Sequence, residues 1–264
     1  MRKPFLVIIW TIAAICAVVG IVLHVFPGRG FSADAGRGTA NAGGKYEETG
    51  AFSSLDIDCG TATVAVQQGD EYAVEITAKD PSKAKNMPVW EVKGDTLKVY
   101  QKDTNFISLG FFNDTSYYVN VTVPSADEET IEWIKIDNGT GTICLDGIST
   151  DQLNIDTGTG AVKITNSRVK DLEIDSGTGS STIELVSAAE RINIDNGTGS
   201  VNLTLPGTES DYDLDLDTGV GSVKVGGEKH RGEYTSRGLG EGKIEIDNGT
   251  GSINISFTEE SISK

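Results

Sequence analysis

Three segments of this sequence hold an aspartate in a setting where acid–base chemistry is conceivable. They are IDTGTG around Asp156, IDSGTG around Asp175 and LDTGVG around Asp217. Two carboxylates held side by side share one proton, and the ionised partner then acts as base toward an attacking water. That chemistry asks for two loops, brought face to face from distant parts of a chain. Here the motif recurs instead. Aligned on its aspartate it stands at Asp137, Asp156, Asp175, Asp195, Asp217 and Asp247, with a looser copy, LDIDCGTATVAV, at Asp58. Steps from 137 to 195 are 19, 19 and 20 residues, and the next two are 22 and 30. Four copies replace the Thr or Ser after the aspartate, with Cys59, Asn138, Asn196 and Asn248. A pepsin-like site needs one pair of carboxylates; seven equivalent ones at a near-constant period describe a stacked architecture.

The elements that position these aspartates follow from the flanking residues. Leu153 and Ile155 bracket Asn154, and Val162 and Ile164 bracket Lys163. With two residues accommodated after the second glycine of LEIDSGTGSSTIEL, the four flanking positions of every copy are Leu, Ile or Val. Such alternation marks half-buried strands, two short ones per rung. Equivalent strands of successive rungs then pair in parallel about 4.8 Å apart, with aliphatic columns inside. The expectation is an all-β fold, a parallel β-solenoid over residues 51–257, with regular repeats over 131–257 and a tail at 258–264. Antiparallel hairpins turning at DNGTG and packed as a sandwich are the rival arrangement. Residues 70–130 alternate as longer strands (YAVEITAKDP, PVWEVKGDTLKVYQK, TSYYVNVTVPSADEE), with a tight turn at KGDT. They are expected to begin or cap the stack, because a bare end rung exposes an unpaired edge.

Glycine stands two places after the aspartate in every copy, as in Gly139, Gly158, Gly177, Gly197, Gly219 and Gly249, and four places after it in six. The pattern predicts a structural turn ladder. Glycine supplies positive φ, and the carboxylate accepts backbone N–H groups two residues on. Thr140, Thr159, Thr178, Thr198 and Thr250 add hydroxyls along the same edge. Stacked carboxylates repel by about 1 kcal/mol per adjacent pair in water. Backbone donors offset that; the alternative is Ca²⁺ bound along the aspartate edge. No other cofactor and no discrete metal site is expected.

Residues 5–26, FLVIIWTIAAICAVVGIVLHVF, contain no Asp, Glu, Lys or Arg. As a helix they reach roughly 33 Å, the thickness of a bilayer's hydrocarbon core. Arg2 and Lys3 place residues 1–4 in the cytoplasm and the rest outside the cell. A cleavable signal peptide, cut near SADAG, is the rival; the apolar run is long for one. Residues 27–50 are rich in Gly and Ala and read as a flexible linker. All 39 acidic residues follow residue 27, against 20 of the 22 basic ones, which leaves that part a formal charge of −19. Such a balance disfavours nucleic acid and anionic lipid as partners. Of three cysteines only Cys59 and Cys144 lie beyond the apolar segment, too few for a disulfide framework. His230 falls in a loop-like GGEKHRGEY, and no nucleophile elbow, P-loop or zinc spacing is present. The chain is therefore not expected to be an enzyme. One stretch, NFISLGFFNDTSYY, gathers Phe106, Ile107, Leu109, Phe111 and Phe112. It is either a cap folded on the stack or an apolar tip that touches a partner or a membrane surface.

The anchor, the Gly-rich spacer and the recurring I-x-I-D-x-G-T-G-x-V-x-I together resemble the bacterial putative-adhesin family of β-strand-repeat domains, which includes LiaG-like proteins encoded with envelope-stress regulators in Gram-positive bacteria. The resemblance covers roughly residues 50–257. It implies a single-pass membrane protein with a solenoid-like extracellular domain and no catalytic residues to carry over. Binding of a cell-wall polymer or an envelope protein, as adhesion or scaffolding, is the first function it implies. A regulator or sensor of envelope stress is the alternative, and a carbohydrate-active or protease-like enzyme a distant one.

Overall fold

The computed structural model describes residues 45–84, 87–101, 116–124, 130–240 and 242–258. The expected anchor at 5–26 lies outside the described residues, as do Phe106, Ile107, Leu109, Phe111 and Phe112. Among the described residues no helix is long and apolar enough to cross a membrane.

Period-two alternation sets the strands. In β9 (Ser149–Thr159) Leu153, Ile155 and Thr157 are buried, while Asn154, Asp156 and Gly158 face out. β10 (Val162–Thr178) repeats this on either side of a corner at Asn166 and Ser167. Asn166 has φ 52°. Asparagine tolerates that left-handed backbone, and its side-chain amide donates to Asp146 Oδ1 at 2.8 Å.

Two parallel ladders run along the stack. In the first, β7 (Ile131–Thr140) pairs with β9, β9 with β10, and β10 with β12 (Arg191–Thr198). Ile136, Ile155, Ile174 and Ile194 thereby form one inner column. In the second, β8 (Ile143–Asp146), the start of β10, β11 (Ser181–Leu185) and β13 (Val201–Pro206) pair in the same sense. Hydrogen bonding does not stop at the corner between ladders: Gly141 N–H donates to Thr159 C=O, and Gly160 N–H to Thr178 C=O, each at 2.9 Å. The repeats are rungs of a solenoid-like all-β stack, not hairpins. Its core is aliphatic, and the column isoleucines are 0–1% exposed. Each fully buried side chain of this kind contributes on the order of 1.5–3 kcal/mol.

At one end, β2 (Ser54–Gly69) carries the looser copy. It pairs with β7 and β8 on one side and with β5 (Thr96–Tyr100) and β6 (Tyr117–Pro124) on the other. β3 (Ala73–Ala78) and β4 (Val89–Lys93) fold back antiparallel on β6 and β5. The turn joining β4 to β5 holds Gly94 at φ 62°. β1 (Lys45–Glu48) pairs antiparallel with β3, so strand structure starts inside the expected 27–50 linker.

At the other end the copies leave chain order. β17 (Gly242–Thr258) lies between β12–β13 and β14 (Tyr212–Val225), parallel to both. The spacing carried a sign of this. A step of 22 where others are 19 or 20 adds at least two residues, and two extended residues reach about 6.6 Å, more than one rung height of about 4.8 Å. β15 (Glu228–His230) and β16 (Glu233–Ser236) return antiparallel on β14.

The third copy departs from its reading in sequence. It holds no insertion: Ser181 sits in register with Val162 and Val201, in a column that is otherwise Ile or Val. Ser181 is fully buried, and its hydroxyl has no hydrogen-bond partner.

Candidate functional site: the carboxylate column and its glycine corner

The strands run straight through the aspartates, so the motif is strand first and corner second. Asp58, Asp137, Asp156, Asp175, Asp195, Asp247 and Asp217, in that spatial order, form one column on the outer face of the first ladder. All seven are exposed. Among the described residues no hydrogen bond of an Asx-turn forms at these seven aspartates, because strand alternation aims each carboxylate outward.

The residue after each aspartate points inward instead, a feature that sequence reasoning missed. Asn138, Thr157, Ser176, Asn196, Asn248 and Thr218 are all buried, as is Cys59 at the looser copy. Asn138 Nδ2 donates to Ala62 O at 3.1 Å, and Asn196 Nδ2 donates to Asn248 Oδ1 at 2.7 Å. A signal existed: these positions are small or polar in every copy and fall on the inward phase of the alternation. Thr140, Thr159, Thr178, Thr198 and Thr250 are register partners along the same edge.

The glycines have a reason other than the one expected. Gly158, Gly177 and Gly197 do not have positive φ. A Cβ at any of them would sit 2.5–2.6 Å from the carbonyl oxygen of the matching glycine one rung away. Gly139, Gly249 and Gly219 meet the same obstacle at 2.5–2.9 Å. The second glycine of the motif carries the left-handed backbone in five of the six copies that have it, at φ 145° in Gly199 and 144° in Gly251 but not in Gly221, and there the overlap with the neighbouring rung is deeper. Close stacking of backbone on backbone is thus what the motif enforces.

Electrostatics follow from the column. Partial burial, then the charges of Asp137 and Asp175, hold the Asp156 carboxyl above its usual range, with Lys135 opposing. Asp247 is raised in the same way, by desolvation and then by Asp195 and Asp217, with Glu245 and Asp215 adding. The neighbouring outward column mixes signs: Asp56, Lys135, Asn154, Glu173, Asn193, Glu245 and Asp215. Asn154 Nδ2 donates to Glu173 Oε2 at 3.2 Å, and Lys98 bonds Asp56 at 3.1 Å.

A polar hollow of about 440 Å³ opens where β5 ends, lined in part by Asp56, Asp58, Lys98, Tyr100, Lys135 and Asp137. Asp156, Asp175 and Asp217, the three protease-like aspartates, lie along an open face and do not confront one another across a cleft. Among the described residues no three His, Cys, Asp or Glu side chains converge as a metal cage would require. Cys59 is buried beside Asp58, and desolvation pushes its thiol up to about 12. Cys144 lies half-buried on the outer face of the second ladder, and the two thiols are free. His230 is in β15, its ring 4.1 Å from that of Tyr234. A line of equivalent anions on an exposed face can gather diffuse positive charge.

The family model described as Toastrack DUF4097 matches residues 52–196 and, overlapping, 130–256. No curated protein matches the chain. Among solved structures, one titled a "putative cell adhesion protein" from Clostridium sporogenes is similar over 83% of this chain and 100% of its own, at 19% identity and a TM-score of 0.51. A "putative adhesin" from Parabacteroides merdae is 16% identical over 84% of this chain and 96% of its own, with a TM-score of 0.35. Another from Bacteroides fragilis is 11% identical over 81% and 96%, with a TM-score of 0.34. At these identities the first likeness speaks for the fold, and the other two carry no argument.

Proposed function

Because the chain belongs to the Toastrack DUF4097 family, we propose that it is a binding protein of the cell envelope, held by residues 5–26 in the cytoplasmic membrane with its repeat domain outside. It adheres or scaffolds and does not turn over a substrate. The observation that supports this reading is the division of labour within each rung. The glycines of the motif and the residue after its aspartate are consumed by stacking, whereas outward positions such as Lys163, Glu173, Lys224 and Glu245 are exposed. They can take any chemistry without disturbing the core. A ligand read by such a surface is extended and repetitive, as a cell-wall polymer is, or is the flat face of another envelope protein. The description of the Clostridium sporogenes structure as a cell adhesion protein agrees with this role.

The test is capture of isolated envelope polymers and envelope proteins on the immobilised chain, compared with a Glu173→Lys/Glu245→Lys variant. Retained material that the variant loses or exchanges, at an unchanged unfolding midpoint, supports the reading. No retention of any envelope fraction, or a turnover abolished by replacing Asp156, Asp175 or Asp217 singly, refutes it.

A further inference from the structure

The copy at Asp247 occupies a place that the chain lays out before reaching it. After β13 a short 3-10 turn (Glu209–Asp211) carries the backbone onward. β14 then sets down two rung positions beyond β12–β13, and β17 fills the gap left between them. Both walls of that gap are copies of the same pattern, so its occupant is recognised by the rung chemistry itself.

Three buried or half-buried polar contacts define what fits. Asn196 Nδ2 donates to Asn248 Oδ1 at 2.7 Å, Asn248 Nδ2 donates to Gly199 O at 3.2 Å, and Thr218 Oγ1 donates to Gly251 O at 3.2 Å. An occupant must therefore bring an asparagine directly after its aspartate. It must also bring glycines at the two positions where a Cβ would strike Gly197 and Gly199. Ile244–Ile255 does so, and nine of its twelve residues equal those of Ile192–Leu203. None of these contacts depends on the occupant belonging to the same molecule. The tether from β16 to β17 is short and glycine-rich (Gly238, Gly240), with Leu239 96% exposed. It is fastened by three polar bonds, Arg237 to Asp213 at 3.2 Å, Gly238 N–H to Asp213 Oδ1 at 2.8 Å and Leu239 N–H to Ser210 C=O at 2.7 Å.

We propose that the gap between β12–β13 and β14 is a strand-acceptor site whose occupant can be the β17 of a second copy of this chain, so that two molecules join by reciprocal exchange of Gly242–Thr258. The interface then repeats the intrachain one, and association needs no further complementary surface. The exchange goes beyond envelope binding and does not rest on it.

Asn202 and Asn254 are register partners across β13 and β17, with Asn254 Nδ2 2.9 Å from Asn202 Oδ1. Neighbouring strands about 4.8 Å apart lie within the Cα range of a disulfide. Two full-length chains with different tags, one Asn202→Cys and the other Asn254→Cys, both carrying Cys16→Ser and Cys144→Ser, are co-expressed and run on a non-reducing gel. The expected result is a disulfide-linked heterodimer that vanishes on reduction and is missing when either chain is expressed alone. The diagonal pair Asn202→Cys with Ser256→Cys should link at least tenfold less. Thr204→Cys with Ser256→Cys, also in register, repeats the test should Asn202→Cys impair folding. The proposal is overturned if in-register mixtures stay unlinked while a single chain with both cysteines bridges internally. It is equally overturned if the diagonal pair links as readily as the in-register one.

Discussion

Replacing Gly197 with alanine tests the stacking of rungs more directly than any change to the aspartates. Its backbone is not left-handed, so alanine meets no conformational penalty of its own. The added Cβ would lie 2.5 Å from Gly177 O, against about 3.4 Å for an ordinary contact, so the two rungs must part by about 0.9 Å there. Across the same interface Gly179 N–H donates to Thr198 C=O at 2.8 Å. Added to that distance, the displacement gives about 3.7 Å, beyond hydrogen-bonding range. One or two such bonds lost inside a ladder, each left partly unsatisfied, cost about 2–4 kcal/mol. Gly199→Ala combines a deeper overlap with φ 145° and should exceed about 4 kcal/mol. Gly94→Ala is the control: φ is 62° but nothing stands within 4 Å of its Cβ, so the left-handed backbone alone costs about 1–2 kcal/mol. Urea unfolding followed by circular dichroism gives the three midpoints. The order expected is Gly94→Ala least harmful, Gly197→Ala intermediate and Gly199→Ala most harmful. Should Gly197→Ala prove as mild as the control, backbones do not approach this closely at the corner, and the account of the motif is wrong.

Ser181→Val should stabilise the chain by about 1 kcal/mol, since it removes a buried hydroxyl without a partner and restores the aliphatic column, less some overpacking; a calorimetric midpoint below wild type counts against it. Asp156 and Asp247 have carboxyls raised in the folded state, so their contribution is complete below the usual carboxylate range and is lost as pH rises through their folded values. Stability should therefore climb as pH falls from 7 toward 4, and an Asp156→Asn/Asp247→Asn variant should flatten that climb. Asp211, held low by the backbone N–H and hydroxyl of Thr208, pulls the other way, which makes the comparison between variants the measurement that decides. Asp156→Asn alone relieves repulsion from both neighbours and should gain at most about 1 kcal/mol at low salt, with the gain fading in 1 M NaCl. Cys59, buried and with its thiol pushed up to about 12, should resist maleimide until urea unfolds the chain; prompt labelling in native buffer would show that the column opens.

Much of the repeat was legible because its causes are local. Ile136 and Ile155 announce a strand by alternating with polar neighbours, and a period of 19 fixes which residue stands over which. The phase of the alternation also carries the inward direction of Asn138 and Asn196, but Asp-x-Gly is so strongly associated with turns that the same residues read equally as a corner. Glycine misled in a similar way. Positive φ is a property of one residue and can be guessed from sequence, whereas the clash that excludes Cβ at Gly158 needs a second rung to exist. Ser181 shows the converse error: an insertion kept every flanking residue aliphatic on paper, but register is set by hydrogen bonds continuing from Gly179, and these place a serine in the core.

By itself the sequence determined the rung: its length, its two strands, the aliphatic inside, the acidic column and the stacking period. These are consequences of side-chain polarity and chain geometry within some twenty residues. Only the tertiary structure decided the order of the rungs and hence who neighbours whom. Equivalent copies present the same edge, so local preference cannot tell Asp195 followed by Asp217 from Asp195 followed by Asp247. The choice falls to the chain's reach, through the longer link after Pro206, and to the fit of Asn248 against Asn196, which exists once distant segments have met.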